Sequence, residues 1–246
     1  MNSLRTLRAL SAVDALSVSR DSLLRGIVLV PLGLAVAARW LFPPAIERTT
    51  TLLPFDLQAL YPHVMSYVLL LLAPAICGAV VGFMLLDQRD DNTLMALQVT
   101  PLPIAGYLAY RLAAPMVLST IMGLIALPLS GLAQLDLLKL LMAVLAAAPL
   151  APITALFLGA YAANKVQGFA LQKALGVFFI APFAATLLPQ PWQLLAGVIP
   201  TYWPATLLWT LQAGKSNGEL LLLGSLAYQG LLLALLLRRF NRVIRQ

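Results

Sequence analysis

Asp87-Gln-Arg-Asp-Asp91 sets four charged residues within five positions of a 246-residue chain that has only 16 basic and 9 acidic residues. The run Asn92-Thr-Leu-Met-Ala-Leu-Gln-Val-Thr-Pro-Leu-Pro103 follows it. Asp90 or Asp91 can cap a helix start, and acidic side chains complement the positive end of its dipole. Leu94 and Leu97 then share a face at i, i+3, with Met95 beside them. Thr100-Pro101 stops the helix, because the residue before proline avoids helical geometry. The spacing predicts a helix of about two turns, too short to be stable alone in water. It needs a surface to dock on. Asp87, Arg89, Asp90, Asp91, Thr93, Leu94, Leu97, Thr100 and Pro101 therefore offer the chemistry of a handle for a soluble partner. An ordinary interfacial loop helix is the plainer alternative.

Other reactive groups are few. One histidine, His63, and one cysteine, Cys77, exclude cysteine-cluster metal sites and most nucleophilic dyads. No carboxylate falls in the middle of an apolar run: Asp136, Glu219 and Asp87 sit at run ends. Proton-coupled transporters and intramembrane aspartyl proteases place such groups inside the bundle, so both classes are disfavoured. Gly214-Lys-Ser216 ends like a phosphate-binding loop, but Trp209 stands where that motif needs its first glycine. Leu129-Ser-Gly-Leu-Ala-Gln134 is like an ATPase signature but is confined to a short loop. No metal, cofactor or catalytic set is expected on this chain. ATP, if it drives the protein, binds another chain.

The elements that position these residues are membrane spans. The chain is 61% hydrophobic and 10% charged, against about 25% charged in ordinary soluble domains. Apolar runs of the ~20 residues needed to cross a bilayer predict helices at about 24–42, 64–86, 107–129, 137–163, 173–190 and 218–237. They are continuously apolar rather than alternating, which disfavours a β-barrel. Leu4, Leu7, Leu10 and Val13 beside Arg5 and Arg8 predict an interfacial helix over about 3–22. That charged stretch is too long for a cleavable signal peptide, so the N-terminus is expected to be retained. The fold class is an all-α polytopic membrane protein, with residues 1–246 as one transmembrane domain.

Charge orients it. With the N-terminus inside, the inner side receives Arg5, Arg8, Arg20, Arg25, Arg89, Arg111, Lys165, Lys173, Arg238, Arg239, Arg242 and Arg245. The outer side receives Arg39, Arg48, Lys139 and Lys215. This asymmetry favours six spans with both termini cytoplasmic, and it assigns the +7 net charge to orientation rather than to nucleic acid. The segment 191–213 is apolar but broken by Pro191, Gly197, Pro200 and Pro204, and is read as an outer re-entrant or interfacial hairpin. All four tryptophans fall at the outer boundary in this arrangement. Gly78 and Gly82 form a small-xxx-small pair for close packing, either on a helix of this chain or across a dimer. Arg111 either snorkels to the headgroups or pairs with the Asp87–Asp91 cluster.

Asp87 to Pro103, followed by Tyr107-Leu-Ala-Tyr-Arg111, resembles the stretch after the second span of ABC-2 type permeases. Arg20-Asp-Ser-Leu-Leu24 with Pro31 resembles the start of the first span in the fluoroquinolone-export-like branch. The resemblance covers essentially the whole chain. It implies a permease subunit without its own ATPase, residues 87–103 being the coupling segment for a separate ATP-binding cassette subunit that carries ATP and Mg. A second permease subunit, identical or related, would complete the pathway among membrane lipids of a bacterial inner membrane. The expected cargo is a small hydrophobic or amphipathic compound, drug-like or lipid-like. The chain lacks the large outer domain of bigger family members, which argues against polysaccharide export. A haem-export-like permease of cytochrome maturation and a non-transporting membrane scaffold are the alternatives.

Overall fold

The computed structural model describes residues 22–50, 56–91, 104–189 and 191–244. Of the expected interfacial helix only Ser22 is among them. Thr93, Leu94, Leu97, Thr100 and Pro101 lie outside the described residues. Among those described the structure is helical, with no strand. We label the helices α1 (Ser22–Trp40), α2 (Phe42–Thr50), α3 (Leu57–Asp90), α4 (Ile104–Ser130), α5 (Leu137–Ala147), α6 (Leu150–Tyr161), α7 (Lys165–Gly176), α8 (Ala181–Thr186), α9 (Tyr202–Gln212) and α10 (Gly218–Ile244). Short 3-10 turns occupy Val177–Phe179 and Trp192–Val198.

Five stretches are long and apolar enough to span a bilayer: Leu57–Asp90, Gly106–Ser130, Leu137–Tyr161, Lys165–Thr186 and Gly218–Val243. The pair Leu29–Trp40 and Phe42–Thr50, bent by 51°, makes a sixth if counted as one span. This is a multi-pass membrane fold. Three boundaries differ from the sequence expectation. The second span begins at Leu57 rather than 64, because the Asp56 carboxylate accepts from the backbone N–H groups of Gln58 (2.9 Å) and Ala59 (3.2 Å). The fifth runs from Lys165 to Thr186 rather than 173–190, because Asn164 Oδ1 accepts from Gln167 N at 3.0 Å while Gln167 Oε1 accepts from Ala163 N at 2.8 Å. This reciprocal cap starts a helix on polar residues that hydropathy skips. The last helix continues past 237 to Ile244.

The packing axis is α3 against α6. Gly78 and Gly82 face α6 of the same chain. A methyl on Gly78 would overlap the Ala151 carbonyl and come 2.8 Å from Thr154 Cβ. One on Gly82 would come 2.8 Å from Leu158 Cδ1. Lipid tails are as apolar as leucine, so such close backbone approach supplies the dispersion that hydrophobic burial cannot. Leu69, Leu70, Leu71, Leu127, Leu207 and Leu208 fill one half of the bundle, and Leu85, Leu156 and Phe240 the other. Between them lies a small cluster of Ala73, Cys77, Met122 and Ala151.

The fourth span breaks at Ala148, since Pro149 and Pro152 have no N–H to continue the ladder. The Ala146 carbonyl beside the break accepts a 2.8 Å bond from Gln229 Nε2 of α10, a fully buried side chain. The segment 191–213 folds back against the bundle. Its tip at Val198–Thr201 touches Phe178 of the fifth span and Tyr228, which lies ten residues, or roughly 15 Å, along α10. Thr201 Oγ1 donates to the Phe178 carbonyl (2.6 Å), Trp203 Nε1 to that of Gly197 (2.9 Å) and Tyr228 Oη to that of Val198. Trp203 packs against Gly224 of α10. The segment returns as α9, with Leu207 and Leu208 fully buried against α3, α5 and α10.

Gly78→Val is expected to lower the thermal stability of the purified protein by about 1–3 kcal/mol, the usual cost of overpacking. Gly230→Ala, which meets nothing within 4 Å, is expected to leave it unchanged or slightly raised. Equal melting temperatures for the two variants would contradict the α3–α6 contact.

Candidate functional site

The charged cluster singled out in the sequence lies where five helix ends meet. Asp87, Gln88, Arg89 and Asp90 form the last turn of α3, so this part of the handle is helix rather than loop. Asp91 is the C-cap of α3, its N–H donating to the Asp87 carbonyl at 2.8 Å. Residues 92–103, outside the described residues, follow it in the sequence before Ile104, the first residue of α4.

Each side chain of that last turn reaches a different neighbour. Asp87 Oδ1 meets Lys165 Nζ at 2.8 Å, tying α3 to the start of α7. Both side chains are about half exposed, so solvent screening leaves this pair at most about 1 kcal/mol. Arg89 does more. Its guanidinium donates to the carbonyls of Gly159 (3.2 Å), Ala162 (2.7 Å) and Ala163 (2.7 Å). These belong to the C-terminal end of α6 and the residues beyond it, where backbone acceptors lack intrahelical partners and the dipole favours a cation. Gln88 Oε1 accepts from Tyr107 Oη, and Arg111 Nε donates to the same hydroxyl at 2.9 Å.

Arg111 is therefore buried, 5% exposed, and reaches the cluster through Tyr107 and Gln88. Phe240 of α10 lies on Gly159, and Arg239 stacks over the Tyr161 ring at 4.2 Å. The ends of α3, α4, α6, α7 and α10 are joined around one turn of helix.

Sequence reasoning found Asp87, Arg89 and the region of Arg111, but missed Gln88, Tyr107, Lys165 and the α6 carbonyls. Gln88 and Tyr107 gave no periodic signal. The Asn164–Gln167 cap was the one readable hint that α7 begins beside the cluster. Gly78 and Gly82 sit further along α3, on its α6 face. Among the described residues no group of three or more His, Cys, Asp or Glu side chains is placed to hold a metal ion.

Residues 14–237 match the family described as fluoroquinolones export permease protein Rv2686c-like. Two proteins of Mycobacterium tuberculosis are each 32% identical to this chain over 239 residues, covering 96% of it and 94% of the relative. They are the fluoroquinolones export permease protein MT2760 of strain CDC 1551 / Oshkosh and the fluoroquinolones export permease protein Rv2686c of strain H37Rv. These agree with the fluoroquinolone-export-like resemblance read from the sequence. No solved structure matches the chain significantly.

Removing the Arg89 side chain strands three carbonyls, so Arg89→Ala is expected to cost about 2 kcal/mol in thermal unfolding. Arg89→Lys recovers only part of this, because an ammonium lacks the planar fork. Asp87→Asn should cost under about 1 kcal/mol. An Asp87 effect larger than that of Arg89 would reverse the assignment.

Proposed function

We infer that this chain, which belongs to the Rv2686c-like family of fluoroquinolones export permease proteins, is the membrane-spanning subunit of an exporter of small amphipathic compounds, fluoroquinolones among them. The observation that carries this reading is the end-to-end likeness to the two mycobacterial permeases, which covers every span. ATP and Mg belong to a separate ATP-binding cassette subunit, and a second permease chain, identical or related, completes the pathway. The end bearing Arg89, Lys165 and Arg239 faces the cytoplasm of a bacterial inner membrane, as the excess of basic residues there favours.

The clustered helix ends support a coupling role for 87–103. A partner that seats on residues 92–103 pulls on α3 and α4 together, since Gln88 and Tyr107 join them. Through Arg89 the same pull reaches α6. ATP-driven closure of the partner shifts the bundle between inward- and outward-facing arrangements if it binds the two with different affinity.

Leu94→Asp or Leu97→Asp is expected to lower export by about tenfold when the permease and its ATPase are co-expressed, within the usual range of coupling energies. The measurement is fluoroquinolone accumulation in intact cells, with the amount of permease in the membrane checked alongside. Normal efflux by both variants would sink the coupling assignment.

A further inference from the structure

A cavity of about 400 Å³ lies inside the bundle. Helix α6 is its back wall, α7 and α10 are its sides, and the tip of segment 191–213 closes one end. Helices α7 and α10 each pack on α6 but not closely on each other, so the wall is incomplete between them. Phe178 and Val198 line the cavity and are also exposed, which fits an opening sideways toward lipid. The lining is largely apolar. Thr201 and Tyr228 have given their hydroxyls to the Phe178 and Val198 carbonyls, and the Gln172 Oε1 oxygen is shut away by burial. A polar ligand loses its hydrogen bonds to water there and finds few in return. The interior suits hydrocarbon.

The opposite end, at Tyr161 and Leu236, is bordered by cations. Along α10, Tyr228, Leu232 and Leu236 line the cavity at four-residue steps, and Arg239 and Arg242 continue that side of the helix at i+3 steps. Arg239 stands roughly 10 Å beyond Leu232 along the axis. Its guanidinium stacks over the Tyr161 ring at 4.2 Å. Stacking leaves the N–H edge open, and that edge is the bidentate partner of a phosphate. Both arginines are exposed, and among the described residues neither is paired with a carboxylate. We propose that the cavity seats one acyl chain of an anionic phospholipid, entering between α7 and α10, with its phosphate held by Arg239 and Arg242. The proposal needs only that the fold spans a membrane and is independent of what the chain exports. Basic side chains between spans are a recurrent site for anionic headgroups. A lipid held there ties the fifth span to α10 across the side that protein leaves open.

The test is native mass spectrometry of the purified full chain, titrated with dioleoyl phosphatidylglycerol or with dioleoyl phosphatidylcholine, which has the same tails and no net charge. Wild type is expected to bind phosphatidylglycerol about tenfold more tightly than phosphatidylcholine, the effect of two basic residues at a membrane surface. Arg239→Gln combined with Arg242→Gln should bring phosphatidylglycerol down to the phosphatidylcholine level and leave the latter unchanged. Lys215→Gln, an exposed cation before the start of α10, should change neither. Leu232→Trp, which fills the cavity from α10, should weaken both lipids, and Leu175→Trp does the same from α7 should the first variant fail to fold.

An undiminished preference for phosphatidylglycerol in the double arginine variant would overturn the headgroup site, and wild-type lipid binding in the filled variants would overturn the seating of the tail. Displacement of the bound lipid by a fluoroquinolone would give the cavity to cargo instead. A purified dimer that takes up no lipid, and that Leu232→Trp separates into monomers, would give the opening to a second copy of the chain. Each of these results leaves the exporter reading standing, since drug accumulation in cells tests that separately.

Discussion

Inside a bilayer no water is available to a stray N–H or C=O, and every departure from regular helix must be answered by another part of the protein. Among the described residues this chain departs from regular helix at three such places. At the proline break in the fourth span, the Gln229 amide takes the Ala146 carbonyl. The tip of segment 191–213 has its carbonyls covered by Tyr228 and Trp203, and Thr201 anchors it to the fifth span. At the end of α6, Arg89 takes three carbonyls at once. The polar side chains of this apolar chain are spent on backbone that cannot satisfy itself.

Helix α6 connects these places. It lies against Gly78 and Gly82 along one side, so α3 and α6 are too closely meshed to slide without displacing each other. Its end is clamped to the charged turn by Arg89 and to α10 by Phe240 on Gly159. On its other side Ile153, Phe157 and Tyr161 form a wall of the cavity. One helix thus touches both the last turn of α3 and the cavity.

The spans were legible because each carries a continuous apolar run, and the charge asymmetry ordered them. Helix starts were not, because hydropathy measures greasiness and not hydrogen bonding. Leu57 and Lys165 begin helices ahead of the continuous apolar runs, where the caps Asp56 and Asn164 decide the boundary. The charged turn was found by composition, but its partners were not. Gln88 meets Tyr107 and Arg89 meets Ala162 across long stretches of chain with no periodic relation. The cavity was illegible for the same reason, since its walls come from α3, α6, α7, α10 and the tip. In isolation Arg239 reads as one more basic residue orienting a span end.

The last helix has a consequence for how the molecule is made. Tyr228 and Gln229, adjacent on α10, serve two different breaches: the tip of segment 191–213 and the proline break. Both breaches are in segments that leave the ribosome earlier. Until α10 is synthesised and docked, the Ala146 and Val198 carbonyls have no donor from this source, and α9 lacks one of the helices it is buried against. Docking of α10 is thus a closing step for the segments before it. A nascent chain stalled short of Tyr228 carries two backbone carbonyls without the donors that α10 supplies.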